Sequence, residues 1–267
     1  MTKASVLGRQ GAAGVLAGVL LYSAAAYAVD VSPHRAIYDL SLASAKSQSG
    51  IVDAKGTMLV EWADACDGWA IDQRYRLTVT NDESEESLVT VSFSSWESKD
   101  GLSYRFFIRK LRDGDLAEEA RGRAKLNGRG EGGQADFSQP EVASVALPKG
   151  TMFPTEHTLL LLKGAAENQR FITRPVFDGG EMEGPSEVTA AIGQATKPSA
   201  NAKPLLAHRG WSVRLAFYKP DQTGSEPDYE VGMKLLENGV AEDMNLDYGD
   251  MVVRARLREI EALKPSC

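Results

Sequence analysis

The sequence predicts a mainly β protein whose strands curl around one buried helix. Two observations carry this. Period-two alternation of apolar and polar residues recurs along most of the chain, broken by Gly, Pro and Asp-Gly turn signals, and one stretch alone reads as a helix. A dozen or so antiparallel strands cannot lie flat without exposed edges, so they close into a barrel, spiral or sandwich. Curling around a leucine-rich helix also offers a cavity.

Residues 1–28 read as a leader. Lys3 and Arg9 give a charged start, Gly11 to Tyr22 an uncharged apolar run, and Ala26-Tyr27-Ala28 the small-x-small pattern that signal peptidase accepts, with cleavage before Val29. The rival is an uncleaved transmembrane anchor, but the run is short and rich in Gly and Ala for about 30 Å of hydrocarbon. No lipobox cysteine follows. The expectation is a periplasmic chain, residues 29–267, folded as a single domain with no transmembrane anchor after cleavage.

The strands follow. In WAIDQRYRLTVT, Trp69, Ile71, Gln73, Tyr75, Leu77 and Val79 point one way, while Asp72, Arg74, Arg76, Thr78 and Thr80 point the other. Two further strands meet at Lys99-Asp100-Gly101, and Asp113-Gly114-Asp115 marks a second turn. Beyond it Ala120, Gly122 and Ala124 alternate with Arg121, Arg123 and Lys125, small inward residues that permit close packing or a tight bend.

The helix is predicted over 155–168. Thr155 serves as N-cap after Pro154, Leu159 to Leu162 and Ala165-Ala166 form the body, and Asn168-Gln169 ends it. Four consecutive leucines make it apolar on most sides, hence buried against the concave face of the sheet. Residues 170–180, 186–193, 211–220, 228–240 and 250–263 read as further strands, and 194–204 as a long exposed loop.

Export sets the redox setting. Cys66 and Cys267 are the chain's two cysteines, and an oxidising compartment lets them pair with one connectivity. The pair would bring the last strand beside the turn at Asp64 to Gly68. A redox pair or metal site is the rival, unsupported by a CxxC spacing or a histidine cluster. Without Lys3 and Arg9, 28 basic and 37 acidic residues remain, a net charge of −9. That argues against nucleic acid or anionic headgroups as main partners.

Catalytic templates such as G-x-S-x-G, H-E-x-x-H, the P-loop and S-x-x-K are absent. His34, His157 and His208 each stand alone. His157, beside Glu156 and between Thr155 and Thr158, reads either as a proton relay or as a structural group that caps the helix and ties it to the sheet. Adjacent helical residues do not face each other, which favours the structural role. Phe153, His157 and Leu160 are the candidate ligand contacts near the helix. The acidic stretch 81–87 lacks calcium-loop spacing and reads as a solvated hairpin tip. Asp243, Asp247 and Asp250 suit either a carboxylate pair of glycosidase type or Asx turns. Trp62, Trp69, Trp96 and Trp211 read as core. No metal or cofactor is expected.

Five stretches together resemble the cell-envelope integrity protein EipB family of alphaproteobacteria: HRAIYDLSL (34–42), LPKGTMFPTEHTLLLL (147–162), VFDGG (176–180), LENGV (236–240) and LDYGDMVV (246–253). The two cysteines fit the same pattern. The resemblance implies a single highly curved antiparallel sheet, spiral or open-barrel-like, wrapping one buried helix and shaped like the Lol-type carriers, with Cys66 and Cys267 as its disulfide. It also implies a non-enzymatic role in envelope integrity and stress resistance. Three functions follow for test: binding of a periplasmic protein partner or a lipid-like ligand in an apolar cavity, lipid or lipoprotein carriage of Lol-like type, and hydrolysis of envelope material through His157 or the three aspartates. The residues supply the ingredients of an apolar cavity and few of a catalytic cluster.

Overall fold

The computed structural model describes residues 31–198, 202–220, 224, 226–264 and 267. The leader reading lies outside them. Eight strands come first: β1 (His34–Ala45), β2 (Ile51–Asp64), β3 (Gly68–Asn81), β4 (Glu86–Ser98), β5 (Ser103–Arg112), β6 (Asp115–Leu126), β7 (Gly133–Gln139) and β8 (Ala143–Leu147). The helix α1 (Pro154–Ala166) follows, then β9 (Phe171–Val176), β10 (Ser186–Thr196), β11 (Gly210–Tyr218), β12 (Tyr229–Leu236), β13 (Ala241–Asp247) and β14 (Met251–Ala262).

All fourteen strands join one antiparallel sheet. Each meander pairs in chain order, and β1 pairs with β14 to link the two halves, leaving β8 and β9 as the unclosed edges. Short hairpins make such neighbours pair cheaply. Residue Met152 bridges towards closure: it pairs with Val176 beyond the end of β8, and its N–H reaches Pro175 O at 2.9 Å. Bulges in the β1–β14 pairing, at Ile37/Tyr38 and Leu42/Ser44, add bend to the twist expected of long strands.

The alternation read from WAIDQRYRLTVT is present, with Tyr75 and Leu77 buried and Arg74 and Arg76 exposed. The inward residues form two large clusters. The main one gathers Tyr38, Met58, Leu77, Val188, Val213, Val253 and the helix residues Leu161, Leu162 and Ala165. A second, aromatic cluster lies under β5–β8. There Phe106 meets Phe137 at 5.2 Å and Phe177 at 5.7 Å, and Tyr104 stacks on Phe153 at 5.0 Å. Gly122 and Gly179 flank the Phe106 ring, and a Cβ on either would clash with it. The small inward residues of β6 therefore make room for a ring.

Several expectations need correction. The N-cap is Phe153, which has no capping side chain, and Pro154 takes the first helical position. Thr155 lies inside the helix. Asn168, in the left-handed conformation at φ 62°, ends it as expected. Leu161 and Leu162 are buried, whereas Leu159 and Leu160 are only half-buried. Trp62, Trp69 and Trp211 are core, but Trp96 faces outward. The exposed loop begins later than expected because β10 continues to Thr196, and residues 204–206 form a 3-10 turn whose Leu205 carbonyl accepts from Asn238 Nδ2 at 3.0 Å. Cys66 and Cys267 are disulfide-bonded with Cα atoms 5.7 Å apart. The last strand itself runs beside β1, one strand further from the Asp64–Gly68 turn than expected, and only Cys267 is joined to that turn, through the disulfide.

Candidate functional site

The polar residues singled out in the sequence do not converge. His34 Nδ1 lies 2.8 Å from Ser32 O, and His208 pairs with Glu237 at 3.3 Å. His157 is buried inside the fold, and its Nε2 has no hydrogen-bond partner among the described residues. Burial, with the Arg174 charge adding, pushes its pKa down to about 4, so the ring is neutral. No side chain of the N-cap residue closes the helix start, and His157 lies within the helix. Asp247 accepts from Gly249 N at 2.9 Å, the Asx arrangement of a turn, and Asp243 stands opposite Arg256. The acidic 81–87 stretch is an exposed hairpin tip closed by Asn81 and Glu85. No group of three metal-ligating side chains occurs among the described residues. The spacing Gly128-x-Gly130-x-x-Gly133 matches a dinucleotide fingerprint, but it lies in the β6–β7 hairpin with no helix after it.

Phe153 is fully buried against Tyr104. Beside the helix start lies a groove of about 520 Å³, lined by Leu102, Arg129, Thr151, Met152, Glu156 and Arg174, among others. An Arg129–Glu156 ion pair at 2.8 Å crosses it. None of Phe153, His157 and Leu160 lines it.

The helix itself depends on a residue absent from the sequence reading. Glu97, at the end of β4, faces inward opposite Trp69 and Tyr104. Its carboxylate accepts the Thr155 and Glu156 N–H groups, filling the place of the missing cap.

A different site emerges at one rim of the sheet. Directly opposed residues share a face, so the register carries one inward set from strand to strand. Leu42 faces Val253, Val253 faces Leu246, Leu246 faces Val231, and Tyr229 faces Phe217. On the other side Leu77 faces Val89 and Tyr75 faces Val91. Leu42, Val79, Val89, Val91, Phe217, Tyr229 and Met251 pack against the main core yet are only half-buried.

The β13–β14 turn leans across this rim. Its Tyr248 ring sits 5.2 Å from that of Tyr229, which is 5.6 Å from Phe217. The Tyr248 and Tyr75 phenol oxygens are 3.4 Å apart, joining the β13–β14 turn to β3 across the intervening β1 and β2. Burial, and then the neighbouring phenols, raise the Tyr75 pKa; burial also raises that of Tyr248. Both stay neutral donors and acceptors; Tyr75 is buried, whereas Tyr248 is 41% exposed and covers the rim from the solvent side.

A family model described as EipB-like matches residues 25–264. The chain belongs to the EipB-like family. It is 33% identical over 254 residues to the cell envelope integrity protein EipB of Brucella abortus (strain 2308), covering 92% of this chain and 89% of that one. A crystal structure of a beta-barrel-like protein of a domain of unknown function, also from Brucella abortus, superposes with a TM-score of 0.82. It is 31% identical, with 89% of this chain and 100% of that chain covered.

In this EipB-like chain, stretches that carried the resemblance sit at structural joints. LPKGTMFPTEHTLLLL runs from the end of β8 through α1, VFDGG closes over Phe106, LENGV turns β12 into β13, and LDYGDMVV holds Tyr248. The disulfide fits an extracytoplasmic, oxidising setting. Among the described residues no helix is long and apolar enough to cross a membrane.

Proposed function

We propose that this EipB-like protein supports cell-envelope integrity in the periplasm without catalysis, by holding a lipid-like ligand at the apolar rim under Tyr248. One observation carries the reading. A row of inward apolar side chains, from Val89 and Val91 to Phe217 and Met251, is left only half-buried at the place where Tyr248 crosses to Tyr75. Apolar surface kept open beside a few polar groups is how a protein takes an apolar molecule and orients its polar end. The envelope role is that of the Brucella abortus relative, a cell envelope integrity protein.

The scattering of His34, His157 and His208 supports binding over hydrolysis, since acid–base work needs groups within reach of one reacting atom. A Lol-like carrier is the same chemistry with a moving cover, for which the Tyr248 turn is placed.

Titration with the fluorescent fatty acid cis-parinaric acid tests the reading. The parent should bind saturably at one equivalent, and Phe217→Glu should abolish the signal by placing a charge in the row. A linear, non-saturating signal, equal in parent and variant, rejects it.

A further inference from the structure

The outer face of β4–β8 carries a second surface, unrelated to the apolar rim. Trp96, Arg105 and Arg123 stand opposite one another across β4, β5 and β6, and Phe107 stands opposite Arg121. The Arg105 guanidinium lies 4.1 Å over the Trp96 ring, and that of Arg121 4.7 Å over Phe107. These residues wall a groove of about 970 Å³ whose edge includes Val142, 90% exposed.

The charge is not balanced internally. Like charges directly opposite across strands cost stability, yet Arg105 faces Arg123. The one carboxylate in the groove, Asp136, takes Arg123 at 3.7 Å. Arg105 and Arg121 form no ion pair among the described residues. A chain of net charge −7 thus gathers three arginines where one acid answers them.

The aromatic faces are already covered by guanidinium groups, so they do not offer a platform for a sugar ring. They fix the arginines instead, and a fixed guanidinium fork matches a carboxylate by paired hydrogen bonds. Five strands about 4.8 Å apart give a groove of roughly 20 Å, the reach of about six extended residues. Exposed Val142 adds an apolar contact that a purely ionic ligand would leave unused.

We infer that this groove docks an acidic, partly apolar segment of a partner protein, in extended form, with its carboxylates on Arg105, Arg121 and Arg123. Fluorescence anisotropy with a labelled peptide of alternating Glu and Val, against the same peptide with Gln for Glu, tests it. The acidic peptide should bind at least about tenfold more tightly than the Gln form. The double variant Arg105→Gln/Arg123→Gln, with an unchanged circular dichroism spectrum, should lose that preference. Replacing all three arginines by lysine should lose part of it, because charge stays and the fork goes. Equal binding of the two peptides, or a double variant with the preference intact, overturns the proposal. So does arginine-dependent binding to phosphatidylglycerol vesicles without peptide binding, which would make the groove a lipid-surface site.

Discussion

Thr155 in the first turn of α1 donates its backbone N–H to Glu97 of β4 at 2.7 Å, across 58 positions of sequence. Glu156 donates to the other oxygen of the same carboxylate at 2.8 Å. A helix whose own Phe153 cannot cap it is closed by a strand, and the positive end of the helix dipole meets the carboxylate. Local helix chemistry and the β4 backbone are thereby tied together.

Glu97→Ala is therefore expected to destabilise the protein by about 1–3 kcal/mol, the cost of leaving buried N–H groups unpaired. Glu97→Gln, which keeps one acceptor oxygen, should cost less. Urea midpoints at one pH decide this, and two variants no less stable than the parent would show that water closes the helix instead.

Glu97 also sets a pH dependence, opposed by His157. Burial raises Glu97 from its ordinary value near 4.5 to about 7, despite the two backbone hydrogen bonds that favour the charged form. The folded protein keeps that proton when the unfolded chain has lost it, so this contribution is full below 4.5 and is lost as pH rises to about 7. Burial lowers His157 from 6.5 to about 4, so its contribution is full above 6.5 and is lost as pH falls to about 4. Between those limits the two slopes oppose each other. Relative to the parent, Glu97→Gln should gain stability with rising pH more steeply, and His157→Leu should lose it more steeply. Stability curves of both variants that run parallel to the parent from pH 4.5 to 7 would contradict these assignments.

The four leucines divide by burial. Leu161→Ala and Leu162→Ala should each cost about 2–5 kcal/mol, as truncations in a packed core do, while Leu159→Ala and Leu160→Ala cost less. Thermal melts showing no such division would place the helix face wrongly.

The Cys66–Cys267 bond closes a separation of 201 residues. Such a loop is worth roughly 5 kcal/mol on the chain-entropy account. Each Cys→Ser variant should lose a few kcal/mol and become more sensitive to protease, and the double variant should be little worse than either single one. Thiol titration of the unfolded, unreduced protein should find none free; two per chain would refute the bond.

Much of this was legible in the residues. Alternation in WAIDQRYRLTVT gave the faces of β3, Asp113-Gly114 gave a turn, and two cysteines left one pairing. The resemblance, rather than periodicity, supplied the single curved sheet. Glu97 was not legible because its partners lie 58 and 59 positions away, and a Glu between Trp96 and Ser98 looks like any polar strand residue. The Tyr75–Tyr248 contact spans 173 positions and depends on the curl of the whole sheet. Arg121 and Arg123 showed as an outward row, but only the β5–β6 register sets Arg105 opposite Arg123. Net charge hid that local excess.

The central claim is that the rim beneath Tyr248 holds a lipid-like molecule. Mass spectrometry of lipids extracted from protein purified out of the periplasm, parent beside Phe217→Glu, tests it most directly. An acyl-bearing species near one equivalent in the parent and absent from the variant is the predicted result. An equal lipid content in both, or none in the parent, would contradict it.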